Sequence, residues 1–174
     1  MSETEKIKTA LERSIKALTL KPSLGLGTGK SKTRVKNGLT CEVQEGNWKF
    51  VTDMPESVGG NAQGPTPGVL GRAALGSCLA IGYMIKAAMM NIAITTLEVE
   101  VQADYDDGAL LGTSNVVPGY LEVRYTVTIE SDAAEEEILK MLNEADEHSP
   151  YLDVFSRGQN CKREVHIVSP KLQS

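Results

Sequence analysis

The sequence contains little of what metal centres, disulfide frameworks and nucleic-acid surfaces require. It has two histidines and three cysteines, and no pair of cysteines stands in CxxC spacing. An odd number of cysteines without that spacing predicts neither a disulfide framework nor a zinc site. The formal net charge is −5, whereas a protein that binds phosphate backbones needs a concentrated basic surface. We therefore expect no metal, no cofactor and no nucleic-acid partner.

The sequence also lacks a clear targeting or membrane segment. Residues 1–23 have no basic start followed by an apolar run, so they do not resemble a signal peptide. The most apolar stretch, residues 64–90, is interrupted by Arg72 and Lys86 and falls short of the roughly 18 uninterrupted apolar residues of a membrane span. The one basic run, residues 30–36, is short and is typical of a solvated loop. We expect a cytoplasmic protein without a membrane partner.

What the chain does contain is the composition of an ordinary globular domain. Of its 174 residues, 41% are hydrophobic and 24% are charged, which is enough to bury a real core. Residues 3–19 carry apolar side chains at helical spacing. Pro22 and the glycines of residues 23–29 then end this helix and form a flexible connector.

Three segments show the alternation of apolar and polar residues that indicates β-strands. Residues 39–53 read as a hairpin around Glu45-Gly46-Asn47, with Cys41 expected as a small buried residue on its apolar face. Residues 95–105 and 119–130 alternate strictly, which predicts an antiparallel sheet with one buried and one wet face. The long Gly/Pro-rich loop 53–68 is typical of a functional or mobile segment.

The last part of the chain predicts two more helices. Residues 131–150 form an amphipathic pattern that Asp132 is expected to cap. Its buried stripe is expected to be Ile138, Leu139, Leu142 and Ala145. Ser149 and Pro150 have the types of a helix cap and a first helical residue, and the short helix that they begin is expected to end at Gly158.

A final segment, residues 161–169, alternates in the manner of an edge strand. Val165 and Ile167 are expected to face inward. His166 falls between them on the same alternation, so we expect a surface histidine.

The central feature is an apolar helix that Thr66 and Pro67 begin and Asn91 ends. Four small residues lie on one of its faces, at spacings of three, four and four: Gly71, Ala74, Cys78 and Gly82. Such a stripe lets another backbone approach closely. Because the helix is apolar almost all round, we expect it to lie between a sheet and a second layer.

Cys78 has two interpretations on these grounds. It is a small packing residue of the stripe, or it is a buried thiol that reacts. It lies too far inside the helix to feel the helix N-terminus, and Arg72 projects from a different face. A reactive Cys78 therefore needs a partner from a distant part of the sequence.

Several motifs in the right order give the chain a resemblance to a known family. They are GPTPGVLGRAALGSCLA, LEVEVQADYD, PGYLEVRYTVTIESDAAEEEI and ADEHSPYLDVF. Together they resemble the osmotically inducible protein C / organic hydroperoxide resistance (OsmC/Ohr) family over residues 33–168. The resemblance implies an N-terminal helical extension and Gly-rich connector over residues 1–32 and an OsmC-like domain over residues 33–174.

The resemblance implies an α+β fold in which an antiparallel sheet wraps around long central helices in an intertwined homodimer. In active members a peroxidatic cysteine on the central helix attacks the hydroperoxide, and a second cysteine resolves the sulfenic acid as a disulfide. An arginine and a glutamate orient the thiolate. Carried over to this chain, the peroxidatic position is Cys78 and the arginine is Arg34.

Two positions depart from the family pattern, which suggests a subgroup without the second cysteine. Ser149 stands where the resolving cysteine is expected, and Gly68 stands where the glutamate is expected. A single-cysteine site remains, to which the fold is expected to bring His148 and Ser149. Cys161 is either a substitute resolving cysteine or incidental. His148 is either a site residue or a cap of the preceding helix.

Two functions follow from different interpretations of Cys78. The first is a thiol-dependent hydroperoxide reductase of the oxidative stress response, which uses Cys78 with Arg34 and is recycled by a thiol reductant. The second is a catalytically silent dimer whose interfacial pocket holds an apolar ligand. The substitutions at Ser149 and Gly68 favour the second function or an altered chemistry.

Overall fold

The structure is a computed structural model, and it describes residues 2–169. It begins with the predicted helix α1, Glu3–Leu20, whose N-terminus is closed by a capping box between Ser2 and Glu5. A short 3-10 turn, Pro22–Gly25, follows. The helix expected over residues 3–19 is confirmed.

Three strands then form an antiparallel sheet in the order β1-β2-β3. They are β1 Lys32–Asn37, β2 Thr40–Glu45 and β3 Trp48–Thr52. The hairpin of β2 and β3 is confirmed, but the expectation of a loop over the basic run was wrong, because β1 occupies most of it. Thr33 and Val35 are β-branched and pair with Val43 and Cys41, which explains how a basic segment joins a sheet. Cys41 is half-buried.

The loop after β3 is anchored by Asp53, which is 2% exposed. Its carboxylate accepts hydrogen bonds from the Thr40 hydroxyl at 2.7 Å and from the amides of Met54, Asn61 and Gln63 at 2.8, 3.2 and 3.3 Å. Burial raises the pKa of this carboxyl, but the hydrogen bonds lower it by more, and its pKa lies below its ordinary value. The long loop is therefore tied to β2.

The central helix α2 extends over Pro67–Met90 as the sequence predicts. The Thr66 hydroxyl accepts from the Val69 amide at 3.4 Å, and Asn91 ends the helix with a φ of 56°. The strands β4 Thr96–Asp104 and β5 Glu122–Glu130 form the predicted antiparallel pair with alternating burial. A short helix, α3 Asp107–Leu111, lies in their connection.

Helix α4 occupies Glu135–Asp146, and its start differs from the prediction. Ala134 precedes its first turn without a side-chain cap, so the expectation that Asp132 caps the helix was wrong. Three glutamates in the first turn act on the helix dipole instead. Met141 lies in the core, whereas Leu139 is 51% exposed, so the predicted stripe was wrong at Leu139.

The short helix α5, Pro150–Ser156, is confirmed with Ser149 as its cap. The expectation of an edge strand over residues 161–169 was wrong, since this segment has no strand and Val165 and Ile167 are 63% and 93% exposed. No neighbouring strand among residues 2–169 pairs with it, and an alternating pattern without a partner does not form a strand. His166 is exposed as expected.

The core lies where α2 packs against β4, α4 and α5. Its buried members are Leu75, Leu79, Tyr83, Ala87, Ile92, Met141 and Ala145. The architecture is the predicted α+β class of helices and small antiparallel sheets. The three-stranded sheet does not contribute to this core.

By length and composition alone, α2 is one helix that would suffice to cross a membrane, contrary to the expectation from its interrupted apolar run. The core helix of a soluble protein passes the same test, and here Leu75, Leu79 and Tyr83 of α2 are buried against the rest of the chain. The hydropathy of α2 is thus explained in part by packing.

Candidate functional site around Cys78

The thiol of Cys78 lies in the middle of α2, against the cap of α5. Its Sγ atom is 3.7 Å from the Oγ atom of Ser149, within hydrogen-bonding range for sulfur. Cys78 is half-buried and Ser149 is 7% exposed. The structure thus brings together two of the predicted site residues, which are 71 positions apart in sequence.

The hydroxyl of Ser149 is fixed from two sides. As the cap of α5, its oxygen accepts from the Leu152 amide at 3.4 Å. Its own amide donates to the carbonyl oxygen of Asp146 at 3.1 Å. The Ser149 oxygen is thus held next to Cys78 Sγ, and either atom can donate in the contact between them.

A second polar cluster joins α2, β5 and α4. The hydroxyls of Tyr83 and Tyr125 donate to the two carboxylate oxygens of Asp146, at 2.7 and 3.0 Å. Tyr83 is 1% exposed. Burial and the hydrogen bond to Asp146 raise the pKa of both tyrosines, so each phenol stays a donor at neutral pH.

Gly68, where the family glutamate is expected, lies in the first turn of α2. Its carbonyl oxygen accepts from the Tyr120 hydroxyl at 3.0 Å, and the Tyr120 ring stacks on Phe155. A Cβ atom added at Gly68 would meet the Arg72 guanidinium at 3.5 Å and the Tyr120 oxygen at 3.7 Å, which are ordinary contacts. The position lacks a carboxylate, but it has room for a Cβ atom.

Arg34 is not brought to Cys78 within the chain. It lies on β1, directly opposite Glu42 of β2, and every residue of β1 is exposed. Within residues 2–169 its side chain forms neither a hydrogen bond nor an ion pair. Glu42 instead interacts with Lys36 and Lys49 at 3.8 and 3.7 Å. Within the described part of one chain, Arg34 therefore has no contact with the thiol.

The other two cysteines and His148 lie outside the contact between Cys78 and Ser149. His148 is exposed, and its Nδ1 atom is 3.1 Å from the Glu144 carbonyl oxygen, which favours the interpretation as a cap of α4. Cys161 is exposed on the segment after α5, and Cys41 lies on β2.

A cleft of about 390 Å³ opens one helical turn away from the thiol. Leu75, three residues before Cys78 on α2, lines this cleft together with Leu152 of α5, whose amide donates to Ser149 Oγ. Mainly apolar and aromatic side chains line it, including Leu75, Tyr120, Val123, Leu152 and Phe155. Glu122 and Ser156 also line the cleft, and polar and apolar atoms contribute similar shares of its surface.

Comparison with known proteins places this site in a family. Residues 59–164 match the family of OsmC-like proteins. The chain belongs to the OsmC family. The match begins in the loop before α2 and includes Gly68, Cys78 and Ser149, whereas α1 and the three-stranded sheet precede it. No curated protein matches the chain.

Solved structures of OsmC proteins share the fold. An OsmC-like protein from Mycoplasma pneumoniae is 16% identical with a TM-score of 0.64, over 75% of this chain and 88% of that protein. An organic hydroperoxide resistance protein OsmC from Legionella pneumophila is 17% identical with a TM-score of 0.54, over 75% and 90%. An organic hydroperoxide resistance protein from Elizabethkingia anophelis, with thiocyanate bound, is 19% identical with a TM-score of 0.53, over 74% and 88%. At these identities the likeness establishes the fold.

Sequence reasoning missed the cluster of Tyr83, Asp146 and Tyr125. A signal for it was present, since Tyr83 is a hydroxyl-bearing residue on an otherwise apolar helix face, and a buried phenol needs an acceptor. The position of that acceptor depends on how α4 lies against α2, which the pattern of one helix does not reveal.

Proposed function

We propose that this OsmC family member is a thiol-dependent hydroperoxide reductase that acts in the oxidative stress response through a single cysteine, Cys78. The observation that carries the proposal is the contact of the Cys78 thiol with the fixed hydroxyl of Ser149. A packing residue does not need a hydrogen-bond partner, whereas a thiolate gains from a donor at this place. The names of the Legionella and Elizabethkingia proteins support hydroperoxides as the substrate class.

The reaction proceeds in two parts. The Cys78 thiolate attacks one oxygen of the hydroperoxide, the S–O bond forms, the O–O bond breaks, and the alkoxide takes up a proton and leaves as an alcohol. The sulfur is then a sulfenic acid. Because Ser149 cannot form a disulfide, an external thiol attacks that sulfur and releases water. A second thiol then frees Cys78 and leaves the reductant as a disulfide.

The active unit in this proposal is a homodimer. Five residues on one face of α2, spaced by four, are exposed in the single chain: Val69, Ala73, Ser77, Ile81 and Ile85. Ile81 is 61% exposed, and an exposed apolar face of a central helix indicates a partner. A second copy offers both a cover for this face and a route by which Arg34 of one protomer reaches Cys78 of the other.

Consumption of cumene hydroperoxide tests the activity. The pure protein is supplied with dithiothreitol or glutathione, and the loss of peroxide is compared with that of Cys78→Ser. We expect turnover by the wild type and none by Cys78→Ser, with Cys161→Ser close to wild type. Turnover by the wild type no faster than by Cys78→Ser would remove the enzymatic function.

The state of the thiol gives a second test. We expect Cys78 to react with an alkylating agent at pH 6 faster than Cys41 or Cys161, and Arg34→Ala to abolish that preference while the fold is kept. Brief peroxide treatment is expected to leave a sulfenic acid on Cys78 that dimedone traps, with no intramolecular disulfide. Peptide mass spectrometry reads each cysteine separately. A Cys78 that is alkylated only after denaturation would show a packing residue.

The alternative function is a catalytically silent dimer that binds an apolar ligand. The cleft beside Leu75 and Leu152 favours it, as do the missing thiol at residue 149 and the missing carboxylate at residue 68. In the peroxide assay this alternative predicts no turnover. It also predicts binding of an apolar fluorescent probe that a bulky substitution such as Leu152→Trp weakens.

A further inference from the structure

Two tyrosines and one aspartate join three elements at a single point. Tyr83 belongs to α2, Tyr125 to β5 and Asp146 to the last turn of α4. Each carboxylate oxygen of Asp146 accepts one phenol proton, at 2.7 and 3.0 Å. Each carboxylate oxygen therefore has its own phenol donor.

Packing alone does not explain this cluster. A phenylalanine at position 83 or 125 would fill nearly the same volume without a polar requirement, whereas a buried phenol without an acceptor is destabilising. The arrangement fixes the end of α4 in direction as well as in distance, because the two donors reach Asp146 from a helix and from a strand. Apolar contacts do not impose such a direction.

The fixed end of α4 leads directly to the thiol. The carbonyl oxygen of Asp146 accepts the amide proton of Ser149 at 3.1 Å, and the Ser149 hydroxyl is 3.7 Å from Cys78 Sγ. Cys78 and Tyr83 lie on the same helix, five residues apart. Helix α2 thus connects Cys78 to Tyr83, and Tyr83 contacts Asp146. The turn after Asp146 then leads to Ser149, which contacts Cys78.

We propose that Asp146, held by Tyr83 and Tyr125, is a positioning residue that sets the Ser149 hydroxyl against the Cys78 thiol. The proposal rests on the proposed function only in that Cys78 is the reacting thiol. Asp146 does not touch the sulfur. It acts through the turn at residues 146–149, whose geometry decides whether the hydroxyl lies within hydrogen-bonding range.

Conservative changes of the tyrosines test the proposal. Tyr83→Phe and Tyr125→Phe each keep the ring and remove one donor to Asp146. Because misplacement by about 1 Å costs up to about 100-fold in well-oriented sites, we expect alkylation of Cys78 by iodoacetamide at pH 6 to slow by about tenfold. The pH dependence of alkylation is expected to move to higher pH. Circular dichroism and thermal unfolding verify that each variant is folded.

The matched control is Lys86→Met. Lys86 forms an ion pair with Glu144 and so joins the same two helices close to the cluster, but the change leaves Asp146 and Ser149 untouched. We expect its alkylation rate to stay within about twofold of wild type, as for a partly exposed pair. A change as large as that of Tyr83→Phe would show that general helix packing is responsible and would overturn the proposal.

A double-mutant cycle separates positioning from structural support. If Asp146 acts through Ser149, Tyr83→Phe has no further effect on the alkylation rate in a Ser149→Ala background. An undiminished effect in that background, or unchanged rates in both tyrosine variants, would overturn the proposal. Alkylation needs no peroxide, so a protein that shows these effects but consumes no hydroperoxide would contradict the proposed function and leave the positioning role standing.

Discussion

The two sheets of this protein are built from similar sequence patterns but meet different surroundings. In the pair β4–β5, every second residue is packed against the core and the others face solvent. In the sheet β1–β3, Val35 pairs with Cys41 and Val43 pairs with Phe50 on one shared face, yet Val35 and Phe50 are 63% and 43% exposed. The β4–β5 sheet packs against the core of its own chain, whereas the apolar face of the β1–β3 sheet stays exposed.

For the homodimer that we propose, the difference points to the surfaces that would meet a second copy of the chain. Directly paired residues of an antiparallel sheet share a face, so Arg34, Glu42 and Val51 lie together on the face opposite Val43 and Phe50. One face is therefore rich in charge and the other is apolar. An apolar sheet face left open in one chain and an apolar helix face left open on α2 are complementary surfaces for a homodimer.

The largest expected effect comes from placing a charge on the apolar face of the β1–β3 sheet. We expect the wild type to have twice the chain mass of 18.7 kDa in light scattering. Loss of a buried phenylalanine removes about 1.5–3 kcal/mol per copy. Phe50→Asp is therefore expected to raise the dissociation constant by more than about 100-fold and to give monomers at micromolar concentration.

The control for this change is its neighbour on β3. Lys49→Asp introduces the same carboxylate on the opposite, charged face, so we expect a protein that stays dimeric, with a small loss from the contact of Lys49 with Glu42. A monomeric wild type, or dissociation of both variants to the same degree, would show that the apolar face of this sheet is not an interface.

The same comparison explains which predictions from the sequence succeeded. Local patterns were sufficient for α1, α2, β4 and β5, because their periodicity and their end residues Thr66 and Asn91 depend on neighbours in sequence. They failed at residues 161–169, where alternation has no strand beside it. They also failed at the basic run of β1, where pairing with β2 outweighed the charge.

The candidate site was predictable only in part, for the same physical reason. The positions of Cys78 and Ser149 followed from motifs that resemble the family, and the structure brings them into contact. The cluster around Asp146 depends on the packing of α4 on α2, and in our proposal the role of Arg34 depends on a second chain. Neither feature can be predicted from the periodicity of a single helix or strand.

An intermediate effect is expected at Asp53, which ties the long loop to the β1–β3 sheet. Its pKa in the folded protein lies below the ordinary value, which is about 3.9 in unfolded chains. It therefore stabilises the fold above about pH 4, and this stability is lost as pH falls through the lower, folded pKa. We expect Asp53→Asn to lower the thermal midpoint at pH 7, and its difference from wild type to disappear as pH falls through the folded pKa of Asp53.

The pH series needs a control that carries a lowered carboxyl pKa elsewhere. Asp153 is such a group, with Arg157 as the cause, and it is exposed on α5. Asp153→Asn is expected to have a smaller effect at pH 7, because an exposed pair contributes little. A difference between Asp53→Asn and wild type that persists unchanged at low pH would contradict an ionised Asp53 as the origin of the stability.

The smallest expected effect is at Gly68, where the end of the long loop enters α2. In the single chain a side chain at this position has ordinary contacts with Arg72 and Tyr120. Glycine is a poor helix residue and an acidic group is favourable in the first turn, so Gly68→Glu is expected to stabilise the protein by about 0.5–1 kcal/mol.

Gly68→Gln removes the charge but keeps the size, and should retain the smaller, propensity-related part of the gain. Urea unfolding of the three proteins at low and high salt measures both parts, since the gain from charge is screened. If Gly68→Glu instead destabilises the protein while Gly68→Gln does not, a negative charge is unfavourable at this end of α2. That result would contradict the expected gain from the helix dipole.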